Sequence, residues 1–222
     1  MNQPLLHLLH LVSPALPVGA YAYSQGLEYA VDSGWLADET ALQDWLNQLM
    51  CRSLAQLDVP VLRRLVLAWQ VGDLEAVNHW NDYLRASRET AELLLEDEQM
   101  GMALNRLLGA LGLALAERQG YRATPGFACQ FALAGTHWSI GVDELSYGFV
   151  WSWLENQVAA ATKIVPLGQT QAQQLLVSLM PAVEQTCALA AQVSDEDLGI
   201  SLPGLAMASS LHERQYTRLF RS

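Results

Sequence analysis

The chain has 222 residues, 51% hydrophobic and 16% charged, enough apolar material to bury a sizeable core in a single domain. Its formal net charge is -11 and its twelve Lys and Arg are scattered rather than striped, which argues against nucleic acid as a partner. The three cysteines, Cys51, Cys129 and Cys187, lie far apart with no CxxC pair, so they match neither a disulfide framework nor a zinc signature.

Leu5, Leu6, Leu8, Leu9 and Val12 predict a short first helix that stops before Pro14. No Lys or Arg precedes this apolar run, and His7 and His10 interrupt it, so it is not read as a secretory leader. The longest apolar run, Leu107 to Ala116, is too short to span a bilayer, and we expect a soluble, cytoplasmic protein with no membrane contact. Ser24 to Ser33 reads as a second helix ended by Gly34. Asp38 reads as an N-cap for a helix carrying Leu42, Trp45, Leu46, Leu49, Met50, Leu54 and Leu57. Asp58 and Pro60 restart the chain, with Leu62, Leu65, Val66 and Trp69 on one face and Gly72 closing it. Asp73 caps the next helix, which carries Val77, Trp80 and Leu84.

Ser87 is expected to cap the longest helix, running to about Gln119 with Met100, Leu104, Leu107, Leu108, Leu111 and Leu115 inward. Gly101, Gly109 and Gly112 would let a neighbour approach it closely. Thr124-Pro125 starts a helix that Gly135 stops, and Asp143 starts another with Leu145, Phe149, Trp153 and Val158 inward. Thr170 to Gln173 has the capping-box pattern, and Pro181 should kink or break the helix that follows. Ser201-Leu202-Pro203 begins the last helix, expected to continue through His212 and Tyr216 toward Leu219. No stretch alternates as strands do. The expected architecture is all-α: one compact domain spanning 1–222, of about ten helices, without a sheet.

Chemistry is sparse. The stretch Ser13 to Glu28 joins two prolines and two glycines to Tyr21, Tyr23 and a Ser-Gln-Gly. A phosphate cradle needs converging amides and usually a lysine, and neither is present, so the residues alone favour a well-packed lead-in to a helix. His7 and His10 share a helix face, but two ligands do not make a metal site, and no third accompanies them at an obvious spacing. Direct metal carriage through this pair is a competing reading. There is no GxSxG, HExxH or Cys-His signature, and the acidic run Glu92-Glu96-Asp97-Glu98 reads as a solvated helix face. No catalytic set, metal site or cofactor site emerges, so the chain is not read as an enzyme. Lys163 stands alone near a helix end amid small apolar residues, where it complements the helix dipole or aims at an acidic partner group. The stretch from His212 to Ser222 alternates arginines with Tyr, Leu and Phe, a mixture that fits interface anchors, although docking back on the chain's own core is open.

Four blocks carry a resemblance: Ser13 to Glu28, Ser87-Arg88-Glu89-Thr90, Lys163 to Gln169, and Gln215 to Ser222. In that order the chain resembles the urease accessory protein UreF family. The resemblance implies an all-α homodimer that serves as a non-enzymatic chaperone in urease maturation. Such a chaperone binds a UreD-type (UreH) scaffold and the GTPase UreG to assist nickel delivery into apo-urease. It implies scaffold contacts from Glu213 to Ser222, including Gln215, Tyr216, Arg218, Leu219, Phe220 and Arg221. Tyr21, Tyr23, Arg88 and Lys163 become candidates for a surface facing another protein. Modulation of GTP hydrolysis by UreG stays open. The chain departs from the family pattern at Ala20, at Thr217, and after Arg88, where Ala91, Leu94 and Leu95 replace further arginines. The competing reading is a helical small-ligand-binding protein or enzyme with a pocket lined by Tyr21, Tyr23, Trp151 and Trp153.

Overall fold

In a computed structural model that describes residues 3–113, 124–199 and 202–222, the chain forms ten α-helices and no strand among those residues. They are α1 (Gln3–Leu11), α2 (Leu27–Asp32), α3 (Glu39–Gln48), α4 (Asp58–Val71) and α5 (Leu74–Ala86), then α6 (Ala91–Ala110), α7 (Phe127–His137), α8 (Val142–Ile164), α9 (Gln169–Ala190) and α10 (Pro203–His212). A 3-10 turn at Ala20–Ala22 and a π-helical stretch at Leu49–Leu54 complete the order.

α4 is the central element. Val59, Val61, Leu62, Leu65, Val66 and Trp69 are all buried, and it packs against α5, α7, α8 and α9. Its apolar face is wide, as expected of a helix enclosed on several sides, and its two arginines, Arg63 and Arg64, pair with Asp143 and Asp195. Its buried polar groups are paired: Asp58 lies 2.8 Å from Arg88, and the Trp69 indole donates from Nε1 to Cys129 O on α7 at 3.2 Å. Phe127, Phe131 and Phe149 meet edge-on or tilted, with centroids 5.3–5.9 Å apart, joining α7 to α8. α8 in turn lies along α9, and Leu8 and Val12 at the end of α1 pack over Gly148.

Several boundaries differ from the sequence reading, each for a local reason. Thr90, not Ser87, caps α6: its Oγ1 accepts from Leu93 N at 3.2 Å, while Ser87 ends α5 and donates to Tyr83 O. α6 ends at Ala110, followed by Gly112 at positive φ, so α8 and not α6 is the longest helix among the described residues; the expected end near Gln119 lies outside them. The stretch from Asp38 to Leu57 is not one α-helix, because it widens into the π-helical stretch after Gln48. α7 runs through Gly135 to His137, where the missing Cβ makes room for the Leu145 side chain. The cap of α9 is displaced too: Gln171 Oε1 accepts from Gly168 N at 2.9 Å, so Gly168 rather than Thr170 stands at the start. Pro181 sits inside α9 without ending it. The last helix stops at His212, and residues 213–222 leave it as an irregular segment that folds back across the body.

Gly26 shows why the second helix starts at Leu27 rather than Ser24. It has φ +78, and a Cβ there would lie 2.8 Å from Ser209 N and 2.9 Å from Ala208 Cβ. Only glycine combines the left-handed turn with that approach of α10 to α2.

Candidate interaction site

The sequence blocks 13–28 and 215–222 meet in space. Residues 13–28 descend from α1 through a turn in which Leu16 and Val18 are buried. The 3-10 turn leaves Tyr21 72% exposed, whereas the next turn carries Tyr23 inward to 5% exposure. Tyr23 therefore does not reach a surface in this conformation, contrary to the sequence reading of both tyrosines as presented outward. The extended backbone at Tyr23, with φ -126, turns its side chain to the opposite side, under the 213–222 segment. Burial raises its phenol pKa, with a hydrogen bond to the Arg221 side chain working the other way.

The 213–222 segment runs alongside this loop. Arg221 N donates to Ala22 O at 2.8 Å, and Ser24 donates to Ser222 O from its amide at 2.8 Å and from its Oγ at 2.6 Å. Glu28, on α2, is the anchor for the rest: Leu219 N donates to its Oε1 at 2.7 Å and Phe220 N to its Oε2 at 3.0 Å. A carboxylate that accepts main-chain amides in this way gives charge-assisted hydrogen bonds, about twice as strong as neutral ones. Phe220 is buried, a side-chain burial worth about 1.5–3 kcal/mol. Lys163, exposed in the last turn of α8, places Nζ 5.2 Å from the Phe220 ring centroid.

The remaining side chains of the segment divide by face. Arg218 turns inward to Glu92 at 2.6 Å, also reaching Arg221 O, and Gln215 is half-buried. Tyr216 and Leu219 face outward, Tyr216 fully exposed. Arg221 is exposed as a residue.

Beneath the segment lies a buried polar layer that the sequence reading missed. Glu96 and Asp97 are buried, not part of a solvated face, and Glu92 is mostly so. Glu96 accepts from Gln25 Nε2 and from Ser222 Oγ, each at 2.7 Å, and Gln25 Oε1 in turn accepts from Trp153 Nε1 at 2.8 Å. His212 is wholly buried between Glu28 Oε2 (3.0 Å) and Glu92 Oε2 (3.1 Å). The missed signal was spacing. Stepping back by fours from Leu108 through Leu104 and Met100 reaches Glu96 and Glu92, on the face that points into the core.

Arg88 belongs to this layer rather than to a surface. It lies 2.8 Å from Asp58 and 3.3 Å from Asp97, and Asp97 Oδ1 also accepts from Phe127 N at 3.2 Å. Burial works against its charge, but Asp58 and Asp97 more than offset it and hold its pKa above the usual value. His7 stacks on Trp138 with centroids 4.8 Å apart, and His10 meets the same ring edge-on. Among the described residues no three His, Cys, Asp or Glu are grouped to hold a metal ion.

A cavity of about 480 Å³ opens beside the loop, lined by Tyr21, Gln25, Arg88, Glu96 and Trp153 among others, but not by Tyr23 or Trp151. Its polar groups largely engage one another, Gln25 with Glu96 and Trp153, and Arg88 with Asp97, which leaves few aimed at a ligand. No helix among the described residues is long and apolar enough to cross a membrane.

Fold and site together define a helical protein built around buried ion-pair layers and an ordered, self-docked terminal segment. The UreF family model matches residues 36–180, and the chain belongs to that family. It is 62% identical over 222 residues to the urease accessory protein UreF of Teredinibacter turnerae, covering 100% of both chains. It is 49% identical to that of Hahella chejuensis, covering 98% of each. Against that of Chromohalobacter salexigens it is 48% identical, over 97% of this chain and 93% of the relative.

Proposed function

We propose that the chain is a non-catalytic urease maturation factor. It bridges a UreD/UreH-type scaffold and the GTPase UreG and assists nickel insertion into apo-urease, as a homodimer in the cytoplasm. The observation that supports this reading is the convergence of family-like blocks on one outer face. The loop carrying Tyr21, the 213–222 segment carrying Tyr216 and Leu219, and Lys163 beside Phe220 are brought together around a shared backbone pairing. Exposed aromatic and aliphatic side chains on a backbone held from below are the arrangement of an interface anchor. Tyr23 and Arg88 contribute from beneath, by holding the surface in shape.

The test is co-expression with the UreD-type and UreG proteins, followed by pull-down. Tyr216→Ala with Leu219→Ala removes outward side chains only, so helical content stays at the wild-type level while scaffold capture falls at least about tenfold. Equal capture would show that the segment is not the contact. Lys163→Ala is expected to lower urease activation in the same co-expression system, with helicity unchanged; full activation would remove Lys163 from the functional surface.

A further inference from the structure

The loop from Ala22 to Gln25 is tied down residue by residue. Ala22 O accepts from Arg221 N at 2.8 Å, and Ser24 donates to Ser222 O from its amide and its hydroxyl, so these positions are joined to the 213–222 segment. Tyr23 O accepts from Asn156 Nδ2 on α8 at 3.3 Å. At Gln25 the body takes hold of the loop by a side chain. Its Nε2 donates to Glu96 Oε1 on α6 at 2.7 Å, and its Oε1 accepts from Trp153 Nε1 on α8 at 2.8 Å. Glu96 extends the connection, since its Oε2 accepts from Ser222 Oγ at 2.7 Å. Trp153, Gln25, Glu96 and Ser222 thus form one hydrogen-bonded chain, and Ser24 closes it into a ring through Ser222 O.

The backbone at Gln25 shows that this conformation is imposed by its surroundings. Its φ is +55, in the left-handed region that is uncommon for a residue other than glycine, and Gly26 follows at +78. Such a backbone persists only where neighbouring contacts over-determine it. The two contacts also select the amide. An indole N–H only donates and an ionised carboxylate only accepts, so position 25 must offer an acceptor to Trp153 and a donor to Glu96. Glutamate would set a second carboxylate against Glu96, lysine or arginine has no acceptor for Trp153, and asparagine is a methylene short. Glycine would relax the backbone but give up both bonds.

We propose that Gln25 is the positioning residue of the interaction surface, fixing the loop that carries Tyr21 and the end of the 213–222 segment in one register. The proposal rests on the reading of that face as the scaffold contact. Tyr21 lies just before the tied residues of the loop, and Tyr216 and Leu219 lie just before the tied end of the segment, so one ring sets both exposed halves. The segment has further anchors in Glu28, which accepts from Leu219 N and Phe220 N, and in Arg218, which reaches Glu92. Losing the Gln25 bonds therefore does not detach the segment. It frees the left-handed backbone and uncouples the loop from the segment's end, while the helical core stays as it is.

Gln25→Met keeps the side-chain shape and removes both bonds. Swapping the two groups, Gln25→Glu with Glu96→Gln, restores them with donor and acceptor reversed: Trp153 Nε1 and the amide at 96 donate to the carboxylate at 25, and Ser222 Oγ donates to the amide oxygen. Hydrogen–deuterium exchange of the isolated full chain, at residue resolution, reads the result. Protection of the Ser24 and Arg221 amides should fall about tenfold in Gln25→Met, with a smaller fall at Leu219 and Phe220 and none in α4. The swapped pair should return to within about threefold of wild type. Capture of the UreD-type protein in co-expression should fall and recover in parallel. Wild-type protection in Gln25→Met, or a swapped pair no better than Gln25→Met, would overturn the proposal. So would undiminished capture by Gln25→Met where Tyr216→Ala with Leu219→Ala abolishes it. If that double variant captures normally, the face is not the scaffold contact, and the exchange profiles alone decide whether Gln25 sets the loop.

Discussion

Glu28→Ala is expected to lower the unfolding free energy by about 3–5 kcal/mol and to free the 213–222 segment, because it removes one member of a buried charged cluster. Glu28 accepts from the amides of Leu219 and Phe220 and contacts His212, so one carboxylate ties α2 to both the 213–222 segment and α10. An alanine leaves all three facing a space that their geometry keeps from water. The substitution also leaves His212 and Arg218 with Glu92 as their shared carboxylate contact. Urea-induced unfolding measures the loss, and exchange of the 213–222 peptide shows where it falls. Glu28→Gln should lose less, about 1–3 kcal/mol, since one oxygen remains to accept. If Glu28→Ala unfolds within about 1 kcal/mol of wild type, the segment is not held through this carboxylate.

Gly101→Ala should be comparably severe, about 3 kcal/mol or more. A Cβ at this position of α6 would overlap Pro125 O and lie 2.7 Å from Gly126 C. All these atoms are backbone, so no rotamer change relieves the clash; α6 has to part from the segment that seats the start of α7. That parting would also stretch the Asp97–Phe127 hydrogen bond and disturb Arg88 beside it. Gly109→Ala on the same helix provides the control. Among the described residues nothing lies within 4 Å of a Cβ there, so the alanine should be neutral or stabilise by about 0.5–1 kcal/mol through helix propensity alone. Equal stability of the two variants by urea unfolding would refute the close approach.

The contrast between these glycines shows how far the sequence could be read. Three glycines in one apolar helix pattern implied a close neighbour, but only the fold distinguishes Gly101, which has one, from Gly109, which has none among the described residues, and Gly112, which serves a left-handed turn after the helix. Helix existence was legible throughout, because apolar spacing and caps such as Asp38 and Asp73 are local properties. Helix ends were less so. Ser87 and Thr90 are both good caps in isolation, and the choice between them was made by the 2.7 Å contact of Thr90 with Ser209 on α10, over a hundred residues away. The extension of the last helix past His212 failed for the same kind of reason: local periodicity favoured it, but the segment is drawn out by Glu28, Ala22 and Glu96.

By itself the sequence determined the all-α class, the amphipathic stripes that become the core, the absence of recognisable catalytic motifs and the blocks that mark the UreF family, since each depends on residue type and spacing along the chain. Only the tertiary structure decided which polar residues are buried. Glu28, Glu96 and His212 are unremarkable along the chain because a carboxylate on a helix is usually solvated; they become a buried polar layer when α2, α6 and α10 converge and exclude water. The same convergence separated Tyr21, left at the surface, from Tyr23, enclosed beneath the segment. Exposure and charge balance depend on what folds over a residue, and the residue that folds over Tyr23 is almost two hundred positions away.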